Sequence, residues 1–126
     1  KYLIIIANYY EDIAKGLLDS ALKLIPKSNF IKIIKVPGVF EIPVTISKNI
    51  KKYDAFLALG CVIKGETQHF DFISQASTNA IMDLSIKNQK PIGNGIITCL
   101  NMRQAKARKK KGAEAAQAVI SVLSQK

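Results

Sequence analysis

The segment Gly60-Cys61-Val62-Ile63-Lys64-Gly65-Glu66-Thr67-Gln68-His69-Phe70-Asp71-Phe72 gathers the residue types that can do chemistry in this chain. It contains two glycines, a threonine and the chain's only histidine, His69. The apolar run Ala55–Leu59 before it reads as a buried strand, and helical spacing follows it. These residues are therefore expected in a turn between a strand and a helix. Open α/β sheets put their ligand sites at such turns, outside the carboxyl ends of the strands. The opening helix offers unpaired N–H groups and a positive dipole end, which favour an anion such as phosphate. An imidazole with a reference pKa of about 6.5 moves protons near neutral pH, although a histidine at a helix start serves as often as a structural hydrogen bonder. The chemistry implied is a phosphate site beside a proton-transfer group.

A nucleotide triphosphate loop fits less well. Gly60-x-x-x-x-Gly65-x-Thr67 nearly matches the P-loop pattern, but Glu66 stands where that pattern needs lysine and would repel a triphosphate. Asp54 precedes its strand, where it cannot hold the magnesium ion such sites use.

The elements that must carry this turn follow from the rest of the pattern. Tyr2–Ala7 is a buried strand by its β-branched content. Glu11–Ile25 bears a helical apolar stripe (Ile13, Leu17, Leu18, Ala21, Leu22, Ile25) that Pro26 ends. Phe30–Val36 alternates lysine with aliphatic residues and reads as a strand stopped by Pro37-Gly38. Glu41–Ile50 is a short helix with Pro43 in its first turn. Ala55–Cys61 is the third strand, and Phe70–Asn88 a helix with its apolar face at Ile73, Ala76, Ala80, Ile81 and Leu84. Ile92–Thr98 is a fourth strand interrupted by Gly93 and Gly95, and Met102–Arg108 and Ala113–Leu123 are closing helices. Regular strand–helix alternation with buried strands implies parallel pairing and right-handed crossovers. The expected fold is a three-layer, flavodoxin-like α/β/α sandwich with a four-stranded parallel sheet, one domain over residues 1–126.

Composition narrows the function classes. At 126 residues the chain can bury an ordinary core, and 48% apolar against 22% charged residues place it among soluble globular proteins. Its apolar runs fall far short of the roughly 20 residues a bilayer span needs. Lys1 opens directly into a strand-like run with no cleavable signal pattern. Cys61 and Cys99 fall near strand ends and suit a reduced cytoplasmic interior better than a disulfide framework. The net charge of +10 raises nucleic-acid binding, and six of the nineteen basic residues lie between Arg103 and Lys111. Aromatic residues, at 7%, do not interleave with a basic stripe as single-strand binding requires. Solvated faces and attraction for small anions account for the charge, so neither nucleic acid nor membrane is an expected partner.

Three further segments join the first: Asn8-Tyr9-Tyr10, Pro37-Gly38-Val39-Phe40-Glu41-Ile42-Pro43 and Gly93-Asn94-Gly95-Ile96-Ile97-Thr98. In order and in residue type the four together resemble the lumazine synthases, penultimate enzymes of riboflavin biosynthesis. The likeness runs from about Leu3 to Leu123. It implies condensation of 5-amino-6-(D-ribitylamino)uracil with 3,4-dihydroxy-2-butanone 4-phosphate to 6,7-dimethyl-8-ribityllumazine, with no metal and no organic cofactor. It implies that Tyr9 stacks on the pyrimidine, as a tyrosine where phenylalanine is commoner. Val39, Phe40 and Glu41 would contact the ribityl chain. Cys61, Val62 and Ile63 would line the pyrimidine pocket, largely through their main chain, and Asn94 would meet the pyrimidine edge. Glu66, Thr67 and Arg108 match phosphate-binding positions, and His69 matches the catalytic histidine.

Two departures accompany the likeness. Asn94 stands where the family often has phenylalanine, and the link from Arg108 to Gly112 is about five residues shorter than usual. Lys111 is the best match for the lysine that ends that link. The resemblance also implies active sites shared between subunits of a cyclic homo-oligomer, expected here as a pentamer, with riboflavin synthase as a further candidate partner. An FMN-binding electron carrier of the same fold is the competing assignment. Its phosphate loop should follow the first strand and be rich in Ser and Thr, which Asn8-Tyr9-Tyr10-Glu11 is not.

Overall fold

A computed structural model describes residues 1–65 and 70–125. Its strands are β1 (Tyr2–Ala7), β2 (Ile31–Val36), β3 (Ala55–Ile63) and β4 (Ile92–Cys99), and its helices α1 (Glu11–Leu24), α2 (Ile42–Asn49), α3 (Phe70–Asn88), α4 (Met102–Ala107) and α5 (Lys111–Leu123). A single 3₁₀ turn, Val39–Glu41, leads into α2. The sheet has the order β2-β1-β3-β4 and every pairing is parallel. The chain steps from β1 outward to β2, then back across β1 to β3 and on to β4. Right-handed crossovers then put α1 on one face and α2 and α3 on the other.

Two apolar layers result, one per sheet face. Tyr2, Ile4, Ile6, Leu57 and Leu59 pack with Ile13 and Leu17 of α1 and Ala115, Ala116 and Val119 of α5. Leu3, Ile5, Phe56 and Ala58 pack with Ile42 and Ile46 of α2 and Ile81 of α3. Consecutive side chains of a strand point to opposite faces, which is why β1 and β3 are apolar without alternation: both of their faces are covered. Leu3, Ile4, Ile5, Phe56 and Leu57 are fully enclosed, and each such side chain contributes about 1.5–3 kcal/mol of burial.

Expectation and structure differ at two places that matter for the site. The third strand runs past its expected end at Cys61 to Ile63, with Gly60 well inside it, because Cys61, Val62 and Ile63 pair with Ile97, Thr98 and Cys99 of β4. The turn begins at Lys64-Gly65, with Gly65 at φ +88°, a left-handed conformation glycine adopts without strain. The P-loop resemblance therefore dissolves, since its first glycine is strand. Nor do Gly93 and Gly95 interrupt β4, which is continuous. A methyl on Gly93 would strike the Ala115 carbonyl, and one on Gly95 would lie 2.5 Å from Leu59 Cδ2. Both glycines let α5 settle close onto the sheet.

Candidate active site

The carboxyl ends of β1 and β3 and the turn after β2 meet over a cavity of about 270 Å³. Tyr9, just beyond β1, lines it with 70% of its surface exposed. Tyr10 meets the Tyr9 ring edge-on, with centroids 4.9 Å apart and planes at 85°. That T-shaped pairing steadies the Tyr9 ring while leaving a face for a planar ligand. Asn8 fixes the exit from β1 by donating its N–H to the Val36 carbonyl at 3.1 Å.

The second wall is the 3₁₀ turn. Glu41 N–H closes it on the Gly38 carbonyl at 3.2 Å. Val39 is buried while Phe40 is 58% exposed, and both line the cavity beside Gly38. Gly60 makes this possible: a side chain there would begin 2.8 Å from Val39 Cγ2. Glu41 sits at the start of α2, half-buried, with its carbonyl accepting the Thr45 hydroxyl at 2.8 Å. Its carboxylate Oε1 lies 3.1 Å from where a Gly38 side chain would start, beside the cavity rim.

The third wall is the end of β3, where Cys61 and Val62 line the cavity. Ile63 does not, because its side chain is turned into the α1–α5 core. It can offer a ligand only its main chain. Ile73 of α3 completes the lining. Tyr10, Gly38 and Ile73 are the lining residues sequence reasoning missed. Of these, Tyr10 and Gly38 carried a local signal, each lying in a quoted segment beside an expected site residue, and Ile73 carried none beyond its place on the apolar face of α3.

Asn94 and Arg108 belong elsewhere. They line a second cavity of about 740 Å³, beyond the edge strand β4, together with Thr98, Lys110, Lys111 and Glu114. Among the described residues the two cavities share no lining residue. Arg108 ends α4 and donates from Nη1 to the Thr98 carbonyl at 3.1 Å, with Cys99 Sγ at 3.9 Å. Among the described residues nothing else occupies its guanidinium, so its remaining N–H groups are available for a phosphate. A reciprocal cap starts α4: Asn101 Oδ1 accepts the Gln104 N–H at 2.9 Å, and Gln104 Oε1 accepts the Leu100 N–H at 2.8 Å. Lys111 is paired with Glu114 at 3.7 Å.

The Asn94 side chain has a determined orientation. Its Oδ1 accepts the Ile96 N–H at 3.0 Å, and a backbone N–H can only be met by the amide oxygen. Asn94 therefore turns Nδ2, a donor, to its surroundings. Both cysteines are buried and neither is in a disulfide. Glu66, Thr67 and His69 lie outside the described residues. Among the described residues there is no cluster of three or more His, Cys, Asp or Glu that could hold a metal ion, and no helix long and apolar enough to cross a membrane.

A parallel sheet of this order, flanked by helices on both faces, defines an α/β protein of the flavodoxin-like class, with an aromatic-walled cavity over its central strand ends. The family model described as 6,7-dimethyl-8-ribityllumazine synthase matches residues 1–126. Similar proteins include 6,7-dimethyl-8-ribityllumazine synthase 1 of Rhodopseudomonas palustris, 40% identical over 98% of this chain and 83% of the relative. The 6,7-dimethyl-8-ribityllumazine synthase of Agrobacterium fabrum is 41% identical over 98% of this chain and 93% of its own. That of Bartonella bacilliformis is 45% identical over 87% and 76%. The chain belongs to the 6,7-dimethyl-8-ribityllumazine synthase family.

Proposed function

We propose that this enzyme condenses 5-amino-6-(D-ribitylamino)uracil with 3,4-dihydroxy-2-butanone 4-phosphate, giving 6,7-dimethyl-8-ribityllumazine, phosphate and water. One observation carries the proposal: a chain of this family, matched from end to end, has an open tyrosine face over the carboxyl ends of β1 and β3. Tyr9 stacks on the pyrimidine, and the main chain of Cys61, Val62 and Ile63 borders it. Asn94 Nδ2 donates to a pyrimidine acceptor. Val39, Phe40 and Glu41 hold the ribityl chain, with the Glu41 carboxylate accepting from its hydroxyls. The Arg108 guanidinium grips the phosphate with paired hydrogen bonds, joined by the Thr67 hydroxyl and the Glu66 amide.

His69 moves protons through imine formation, phosphate loss and ring closure. Much of the acceleration comes from holding two substrates together, since a bimolecular encounter becomes effectively intramolecular. Two half-lined cavities are a natural consequence of a shared site, in which the Asn94–Arg108 face of one protomer completes the Tyr9–Phe40 face of the next. Such a head-to-tail contact closes into a ring, here a pentamer. A cytoplasmic setting suits a chain whose two cysteines form no disulfide, and riboflavin synthase is the partner the family suggests.

Incubation of purified protein with both substrates, followed by lumazine fluorescence, tests the reaction. Ligand binding without product would instead mark a binding protein. Light scattering tests the ring: five chains of 13.9 kDa give about 70 kDa, whereas an active species of one chain's mass would refute the shared site.

A further inference from the structure

The residue that follows Arg108 is held by a serine on another helix. Ser20, in α1, lies 89 residues from Lys109 in sequence, yet its Oγ donates to the Lys109 carbonyl at 2.9 Å. The same hydroxyl is 3.0 Å from the Leu17 carbonyl and accepts the Ala113 N–H at 3.0 Å. One side chain thus spans the Arg108–Gly112 link, engaging it on both sides of Lys110. The link is tight in itself, with Lys111 N–H on the Arg108 carbonyl at 3.0 Å and Gly112 N–H on the Lys109 carbonyl at 3.4 Å. Gly112 admits α1 at this crossing, because any side chain there would collide with the Leu17 carbonyl.

We propose that Ser20 is a positioning residue for anion binding: it sets the α4–α5 link so that Arg108 and Lys110 face the 740 Å³ cavity together. Lys110 is the second cation of this site, because Lys111, which also lines it, is engaged by Glu114. Ser20 touches no substrate. Without its hydroxyl, the Lys109 carbonyl keeps only its long bond from the Gly112 N–H, the Ala113 N–H loses the serine oxygen, and the link is free to slide along α1. Arg108 would then keep its tie to the Thr98 carbonyl while its fork loses a fixed aim, which penalises a bidentate phosphate contact above all. The inference rests on the assignment of Arg108 to phosphate made above.

The test compares Ser20→Ala, Ser20→Thr, Arg108→Ala and a matched control, Ser85→Ala. Ser85 makes an equivalent partly buried bond, from its hydroxyl to the Lys90 carbonyl at 2.8 Å, and lines neither cavity described above. Loss of about one hydrogen bond's net worth predicts a KM for the phosphorylated substrate raised roughly fivefold in Ser20→Ala. The KM for the pyrimidine and kcat should stay within about twofold, and Ser20→Thr should recover most of the loss. Competition by inorganic phosphate, read by calorimetry on the assembled protein, reports the same site without turnover. Weaker phosphate binding in Arg108→Ala with none in Ser20→Ala overturns the positioning role alone. A KM change as large in Ser85→Ala, after matching for thermal stability, also overturns it. Unchanged phosphate binding in Arg108→Ala removes the anion assignment and the Ser20 role with it.

Discussion

Gly112→Ala sets two opposing effects against each other. Gly112 stands in the first turn of α5, where alanine is intrinsically better by about 1 kcal/mol and also restricts the unfolded chain. Propensity alone predicts a more stable protein. The structure predicts the reverse. The new methyl would collide with the Leu17 carbonyl oxygen and lie 2.6 Å from Ser20 Oγ and 2.8 Å from the Leu17 carbonyl carbon. The main-chain atoms of a packed helix cannot rotate aside, so α5 must retreat from α1 and loosen the packing of Ala115, Ala116 and Val119. Overpacking of this kind costs about 1–3 kcal/mol or more, and against backbone the upper part of that range applies. After the propensity gain the net loss is about 2 kcal/mol. At an unfolding entropy of about 2.1 cal/mol/K per residue, this lowers Tm by about 7 °C in a chain of this length. Thermal unfolding at matched concentration measures it, with Gly16→Ala as the contrast. The atoms nearest a methyl on Gly16 belong to the flexible stem of Lys109, which can swing away, so the propensity gain of about 1 kcal/mol survives there and Tm should rise by up to about 4 °C. A Gly112→Ala protein as stable as the parent, or more so, would refute the close-crossing account.

Arg108→Ala should raise the KM for the four-carbon phosphate far more than that for the pyrimidine, with Arg108→Lys rescuing only in part, because lysine lacks the planar fork. Equal losses for both substrates in steady-state kinetics would show that this arginine does not hold phosphate. His69→Ala should lower kcat by roughly 10- to 100-fold without abolishing it, since proximity persists when proton transfer is lost. An unchanged kcat would remove the proton-transfer role. Tyr9→Phe should keep pyrimidine affinity within about twofold while Tyr9→Ala loses tenfold or more, because stacking depends on the ring face and not the hydroxyl. Direct titration with the pyrimidine decides between them, and equal losses in the two variants would argue for the hydroxyl.

What could be seen in the residues beforehand depended on how local its cause was. Tyr2–Ala7 and Phe70–Asn88 were legible to the residue, because apolar content and helical spacing act within the segment. The end of β3 was not: expected at Cys61, it lies at Ile63, and Gly60, which looks like a turn residue, is well inside the strand. Its place in a strand is decided by β4 pairing with Cys61–Ile63 and by Val39 needing the space. Tyr9, Phe40 and Val62 were identified as cavity residues from family likeness, and they do share one cavity. That Asn94 and Arg108 line a different one is invisible in a linear pattern, which orders residues without saying which face they leave. Ser20 carried no signal at all. An isolated helical serine has meaning only once α1 and α5 cross.

The Asn94–Ile96 bond bears on how copies of this chain can meet. A parallel sheet normally ends in two ladders of unused main-chain groups, which invite another strand to extend it. At one end, β2 exposes Lys32 and Lys35 along its length, charges that discourage such growth. At the other, β4 spends an N–H of its own edge on its own asparagine. Zipping one sheet onto the next is thereby disfavoured at both ends, which favours contact through side chains wherever copies meet. A contact made of side chains keeps a gap that a zipped edge would close. In such a gap a small molecule can sit between two chains and be touched by both.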